Sequence, residues 1–226
     1  MSDWAQHLPL SNRPRRDESA VTGDRSAATA AVLAALADVP DTRADVLAAD
    51  TAIEGVTVER AVHIALTRMR WSRWQRLLAV VGVVDAPSDE LESLDARALP
   101  EVLRVEAAAR RASERPTSVR ALSEITVVAL DVAARHRIPL TVDPYDLGAV
   151  ALDLALRVPT ERRAVLQARA MRAVDGGWQL GAGRPLYATS AGIVLFLAGR
   201  AGVPDELPEP APRPRRPRDD DDYDDD

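Results

Sequence analysis

Residues 183–204 read GRPLYATSAGIVLFLAGRAGVP, with an apolar run from 186 to 198 between Gly-Arg-Pro and Gly-Arg-Ala-Gly-Val-Pro. The run is too short to cross a bilayer, because a transmembrane helix needs about 20 predominantly apolar residues. Its distance from the N-terminus excludes a signal peptide. The stretch therefore predicts a helix buried in a globular core, with Pro185 in its first turn and with Gly202 and Pro204 beyond its end.

The composition supports a real core and limits the chemistry that the chain can perform. Its 226 residues are 46% hydrophobic, which is enough for one large or two small domains, and only 4% are aromatic. The absence of Cys excludes disulfides, thiolate metal sites and Cys nucleophiles, and it favours the cytoplasm. All 29 basic residues are Arg, and the net charge is -6. This balance indicates a GC-rich coding bias, a salt-adapted prokaryotic source, or both, and it argues against indiscriminate binding of nucleic acid.

Helix signals follow one another along most of the chain, so we expect an all-α fold. Ser26, Thr42 and Thr57 each precede a helical pattern, and Asp143 with Pro144 marks another start. No pair of strands with alternating polarity and a hairpin turn is evident, which makes a sheet unexpected. The predicted organisation is a flexible arm (1–25), an N-terminal helical region (26–96), a second helical region (97–204) and a disordered Pro, Arg and Asp tail (205–226).

No residue pattern indicates catalysis, a cofactor or a metal. His7, His63 and His136 lie far apart without a second ligand at a suitable spacing, and His63 fits a core or boundary position better. The Gly-rich stretch 176–183 does not follow a strand, and it lacks both the full dinucleotide-binding pattern and a phosphate-binding Lys. We therefore expect a protein that binds and does not catalyse, with no cofactor and no membrane association.

The segment 68–84, RMRWSRWQRLLAVVGVV, interleaves arginines with two tryptophans. On a helix the tryptophans turn toward one face and Arg73 and Arg76 toward the other. The arginine face suits contacts with phosphates or with a partner protein, but it also suits a solvated face whose arginines pair with Asp and Glu. The candidate binding residues here are Arg68, Arg70, Trp71, Arg73, Trp74 and Arg76.

Residues 103–204 resemble the core of archaeal transcription factor B, which joins promoter-bound TATA-binding protein to RNA polymerase. The resemblance lies in the order of four stretches: EAAARRASERPTSVRALSEI (106–125), LTVDPYDLGAVALDLALRVP (140–159), TERRAVLQARAMRAV (160–174) and LGAGRPLYATSAGIVLFLA (180–198). The resemblance implies a cyclin-like helical bundle, in which Arg184 lies in the turn that starts the central buried helix of a second repeat. Arg184 is a further candidate residue for binding nucleic acid or a partner. It also implies that DNA or proteins of the transcription machinery are the partners.

Departures from that family narrow the implied function. The chain has no Cys, so the zinc ribbon that engages polymerase is absent, and the tail follows the central helix where the family has two further helices. The region before residue 97 matches the first repeat poorly. The resemblance therefore implies a shortened transcription-factor-B-like regulator, and the alternative is a helical protein–protein adaptor with no role on nucleic acid.

Overall fold

The computed structural model describes residues 24–43, 45–70 and 96–210 and is mostly helical, as the sequence predicts. Short 3-10 turns lie at Val46–Ala48 and Ala96–Ala98, and a single α-helical turn lies at Val39–Thr42. Within the described residues no helix is both long enough and apolar enough to cross a membrane. The longer helices are α1 (Ser26–Ala37), α2 (Val58–Arg70), α3 (Leu99–Ala112), α4 (Val119–His136), α5 (Pro144–Ala155), α6 (Thr160–Ala168) and α7 (Ser190–Leu197).

Helix α4 forms the centre of the molecule. It packs against α1, α2, α5 and α7, and its residues from Ile125 to Val132 are buried without interruption. Such a run exceeds the apolar stripe of a surface helix, so α4 is covered from several sides. Helices before and after residue 97 contribute to one continuous apolar cluster, and the two predicted helical regions therefore share a core.

The expectation of an all-α fold is wrong in one region, because a three-stranded sheet lies between α6 and α7. Strands β1 (Arg169–Ala173), β2 (Gln179–Leu180) and β3 (Arg184–Ala188) have the order β2-β1-β3. Strand β2 runs antiparallel to β1, and β3 runs parallel to it. The sequence had predicted that the helix of 160–174 continues through β1, since Ala, Met and Arg favour helices; pairing on both edges overrides that preference.

The predicted buried helix is confirmed, but it begins later than expected. Strand β3 occupies Arg184–Ala188, and α7 begins at Ser190, where the Thr189 hydroxyl accepts a hydrogen bond from the Gly192 N–H at 3.1 Å. Pro185 is therefore a strand residue and not part of a first helical turn. The α7 residues from Ile193 to Leu197 are all buried.

A tight glycine crossover connects β2 to β3 across the end of β1. Gly181 and Gly183 have φ angles of +88° and +92°, which are left-handed conformations that favour glycine. A Cβ at Gly181 would lie 2.5 Å from the Leu166 carbonyl oxygen, and one at Gly183 would clash with the Ala168 carbonyl oxygen. The crossover can therefore pass the α6–β1 junction closely only without side chains at these two positions.

Both ends of the described chain are attached to the helical core. Asp24 accepts a hydrogen bond from the Thr117 N–H at 2.8 Å. The buried Arg25 side chain donates from Nη1 to Asp146 Oδ1 at 2.7 Å. Asp24 and Arg25, the last two residues of the predicted arm, are thus part of the folded unit, and residues 1–23 lie outside the described part. At the other end Leu207 N–H donates to the Tyr187 carbonyl at 2.7 Å, so the first residues of the predicted tail lie against β3.

Candidate functional site

A pocket of about 250 Å³ lies beside α4, at the place where four separate segments meet. The turn after residue 52, helix α2, the end of α5 and the residues after α7 form its other sides. The apolar part of the wall consists of Ile53, Val56, Ala61, Ile64, Ala65, Val127, Val128, Leu154 and Ala198.

Helical periodicity places the lining residues of α2 and α4 on facing stripes. On α2 the stripe is Ala61, Ile64, Ala65 and Arg68, and each side chain follows the previous one by one or three residues. On α4 the corresponding stripe runs from Arg120 to Val128 with the same spacing. Each stripe carries its arginine at the end of the apolar stretch, so the pocket has an apolar wall and a charged rim.

Five charged side chains line this pocket, and four of them are arginines. Glu124 lies between arginines of two helices: its Oε1 is 3.0 Å from Arg120 Nε, and its Oε2 is 3.8 Å from Arg68 Nη1. Arg157 forms an ion pair with the Asp153 carboxylate one helical turn earlier. Asp131 is near Arg200 but does not line the pocket. With Glu124, Asp131 and Asp153 counted, four guanidinium groups face three carboxylates.

Arg200 is the most deeply placed of the pocket arginines. Its side chain is 14% exposed, and its Nη1 lies 3.7 Å from Asp131 Oδ2, which is too far for a hydrogen bond. Asp131 already accepts a hydrogen bond from the Ala52 N–H at 3.1 Å. Within the described part of the chain Arg200 Nη1 has no hydrogen-bond partner. Burial lowers the pKa of Arg200, while the nearby Asp131 carboxylate opposes that shift.

An unpaired donor of a buried guanidinium carries a cost that an anion in the pocket would remove. A buried donor without a partner costs roughly 1–3 kcal/mol, and more when the group is charged. Hydrogen bonds from arginine to carboxylate or phosphate are among the strongest in proteins, because the planar group can donate two parallel bonds. The arrangement is therefore chemically suited to hold a carboxylate or a phosphate beside an apolar wall.

The predicted binding residues do not form one cluster. Arg68 lines the pocket, whereas Arg70 Nη2 donates to Glu106 Oε2 at 2.8 Å on helix α3. Burial opposes the ionisation of Glu106, but the guanidinium groups of Arg70 and Arg110 outweigh it and lower its pKa. Arg184 is exposed at the start of β3 and does not line the pocket. Trp71, Arg73, Trp74 and Arg76 lie outside the described residues.

Sequence reasoning missed Arg120, Arg157 and Arg200. Arg120 and Glu124 have the spacing of a helical ion pair, but that spacing is common on solvated faces. Arg200 follows the buried run of α7 and was interpreted as part of a helix stop. Within residues 24–43, 45–70 and 96–210 no three His, Asp or Glu side chains form a group that could hold a metal ion.

In comparisons with known proteins, the chain matches no protein-family model, no curated protein and no solved structure.

Proposed function

We propose that this protein is a cytoplasmic, non-enzymatic binding protein, and that it takes a small organic anion into the arginine-lined pocket. The observation that carries the proposal is Arg200, a mostly buried guanidinium whose Nη1 has no hydrogen-bond partner among the described residues. The other three pocket arginines surround the same space, so a carboxylate or phosphate there would meet several donors.

The size and lining of the pocket define the rest of the ligand. A cavity of about 150 Å³ accommodates benzene, and drug-sized ligands occupy about 300–1,000 Å³. The pocket, at about 250 Å³, falls between these values. Its aliphatic wall favours an uncharged hydrocarbon part over a sugar or a second charge. The proposed ligand is therefore a compact anion of about ten heavy atoms, with one charged head and one short apolar body.

Calorimetric titration with hexyl phosphate tests this proposal on the full chain. We expect saturable binding that weakens at least tenfold in Arg200→Met. Arg184→Met is the matched control, because it removes the same charge at an exposed position outside the pocket. Hexylammonium, which has the same apolar body and the opposite charge, should not bind. Equal binding to Arg200→Met and to the unaltered chain would disprove the pocket assignment.

A second variant guards against misfolding, because loss of Arg200 leaves the buried Asp131 carboxylate without its ion pair. Arg157 lines the same pocket with a side chain that is about one-third exposed, so Arg157→Met should keep the fold. Arg157→Met should still lower the affinity for hexyl phosphate several-fold. A folded Arg157→Met protein with unchanged affinity would count against a role for the charged rim.

A second candidate function is the one that the family resemblance implies, a cyclin-like regulator that contacts DNA. It is supported by the charge of residues 157–200, where seven arginines face two carboxylates, a net charge of +5 in a chain of -6. Arg184 belongs to this basic segment and is exposed. Fluorescence anisotropy with a labelled duplex at several salt concentrations tests it, since affinity should fall steeply as salt rises. A lack of saturable binding at low salt would leave the pocket ligand or a protein partner.

A further inference from the structure

An acidic segment, residues 219–226, is opposite in charge to the basic part of the fold, residues 157–200. Residues 219–226, DDDDYDDD, hold seven aspartates around Tyr223, the only aromatic residue of that segment. Residues 157–200, with a net charge of +5, include the pocket residues Arg157 and Arg200. The two segments are opposite in charge and are separated by only 18 residues.

The chain returns toward the basic segment before the acidic residues begin. Leu207 is hydrogen-bonded to the Tyr187 carbonyl on β3. The Tyr187 hydroxyl accepts a hydrogen bond from Arg172 Nη1 at 3.2 Å, and interaction with the Glu209 carboxylate raises the pKa of Tyr187. The residues that lead into the acidic segment are therefore already held against an arginine-bearing strand.

The distance from this attachment to the pocket is within reach of the remaining chain. Helix α7, which connects the end of β3 to the pocket residue Ala198, has eight residues and is about 12 Å long. Eight residues lie between Pro210 and Asp219, and the nine steps of an extended chain from one to the other span about 30 Å. The acidic segment can therefore return over the pocket without moving the attached residues.

We propose that residues 219–226 bind at the arginine-lined pocket of the same molecule and compete with its ligand. The segment matches the pocket in two respects. The aspartates can form ion pairs with the arginines of the rim. The Tyr223 ring can pack against the apolar wall, because the pocket, at about 250 Å³, is larger than the cavity of about 150 Å³ that holds benzene. This inference rests on the proposed function, because the competition needs an anion site at the pocket.

The first test compares the affinity for hexyl phosphate of the full chain with that of a chain ending at Arg218. Short flexible linkers give effective concentrations in the millimolar range, so a tethered competitor of submillimolar affinity should weaken ligand binding about five- to tenfold. Removing 219–226 should restore that factor at 20 mM salt. The difference should vanish near 1 M salt, where the screening length is about 3 Å. Equal affinities at low salt would refute the competition.

The second test detects the docked segment without any ligand. The chain contains no Cys, so Asp226→Cys introduces a single thiol for a nitroxide label. We expect paramagnetic broadening of the backbone amides of Ile53, Val56 and Ala198, and loss of that broadening in a labelled chain that also carries Tyr223→Ala. Broadening confined to 211–218 would show that the aspartates pair with the arginines of their own tail, and it would overturn the proposal.

The two tests separate the failure of each idea. Hexyl phosphate binding without broadening at the pocket refutes the docked segment and leaves the proposed function intact. Broadening at the pocket without any binding of hexyl phosphate refutes the ligand proposal and the competition. Added hexyl phosphate should abolish the broadening when both proposals are correct.

Discussion

Truncation of Leu197 provides a direct test of the buried position of α7. Leu197 is 3% exposed at the end of this helix, and the change to alanine deletes three carbon atoms. At about 0.8 kcal/mol for each buried carbon, the transfer term alone is about 2.4 kcal/mol. Incomplete relaxation around the new cavity raises the expected loss of unfolding free energy to about 3–5 kcal/mol.

The matched control is Leu156→Ala, which deletes the same atoms from a side chain that is 63% exposed. It should lower the unfolding free energy by less than about 1 kcal/mol, because most of that side chain is already in water. Thermal melts followed by circular dichroism measure both variants. At roughly 2–4 °C for each kcal/mol in a protein of this size, Leu197→Ala should melt about 10 °C lower. Midpoints of the two variants within 2 °C of each other would refute the buried position of α7.

Three further substitutions test the N-terminal attachment, an ion-paired carboxylate and the glycine crossover. Arg25→Ala should lower the unfolding free energy by about 2 kcal/mol in urea titrations, because the mostly buried Asp146 carboxylate loses its partner. Arg43→Ala, which breaks the exposed pair with Asp45, should change it little. Glu106 has a lowered pKa in the folded state, so its contribution to stability is present above its ordinary pKa of 4.5 and is lost as the pH falls through the folded value. Glu106→Gln should therefore reduce the loss of stability between pH 6 and pH 3, and an unchanged loss would contradict the assignment. Gly183→Ala should lower the unfolding free energy by more than about 2 kcal/mol or prevent folding. Gly202→Ala is the control and should be nearly neutral, because no atom lies within 4 Å of the added Cβ. Similar melting temperatures of the two variants would disprove the tight crossover.

The starts of α2 and α5 were predictable because they depend on residues that are adjacent in the chain. The start predicted at Thr42 was wrong, since Thr42 ends a single helical turn and only the 3-10 turn Val46–Ala48 follows it. The Asp143 carboxylate accepts a hydrogen bond from the Tyr145 N–H at 2.8 Å, and α5 begins at Pro144, as its sequence pattern predicts. The Thr57 hydroxyl accepts from the Arg60 N–H at 3.3 Å at the start of α2. In both places the interaction that fixes the helix end is encoded within four residues.

The sheet was not predictable from its own residues. Strand β1 reads Arg-Ala-Met-Arg-Ala, which has no alternation of polarity and favours a helix. Its extended form depends on β2 and β3, and so on two glycines that allow the chain to cross from one edge of the sheet to the other. The residue pattern of β1 alone predicts neither its pairing with β2 and β3 nor the glycine crossover between those two strands.

The pocket was predictable only in part, for a related reason. The stripe that ends in Arg68 could be read from helical spacing, and Arg68 was among the expected binding residues. The pocket itself combines segments from residue 53 to residue 200. Periodicity indicates which residues share a helix face, but it does not indicate which faces of different helices meet.

The short range of the sheet contacts has a consequence for the order of folding. Register partners in β1 and β3 are 15 residues apart, whereas Arg25 and Asp146 are separated by 121 residues. Closing a chain loop costs more conformational entropy as the loop lengthens, and closing a loop of about ten residues takes only about 10–100 ns. In refolding of the complete chain, the segment from β1 to β3 therefore closes a short loop and can pair early. The contact between Arg25 and Asp146 closes a much longer loop, so we expect it to form later, when α1 and α5 pack on α4.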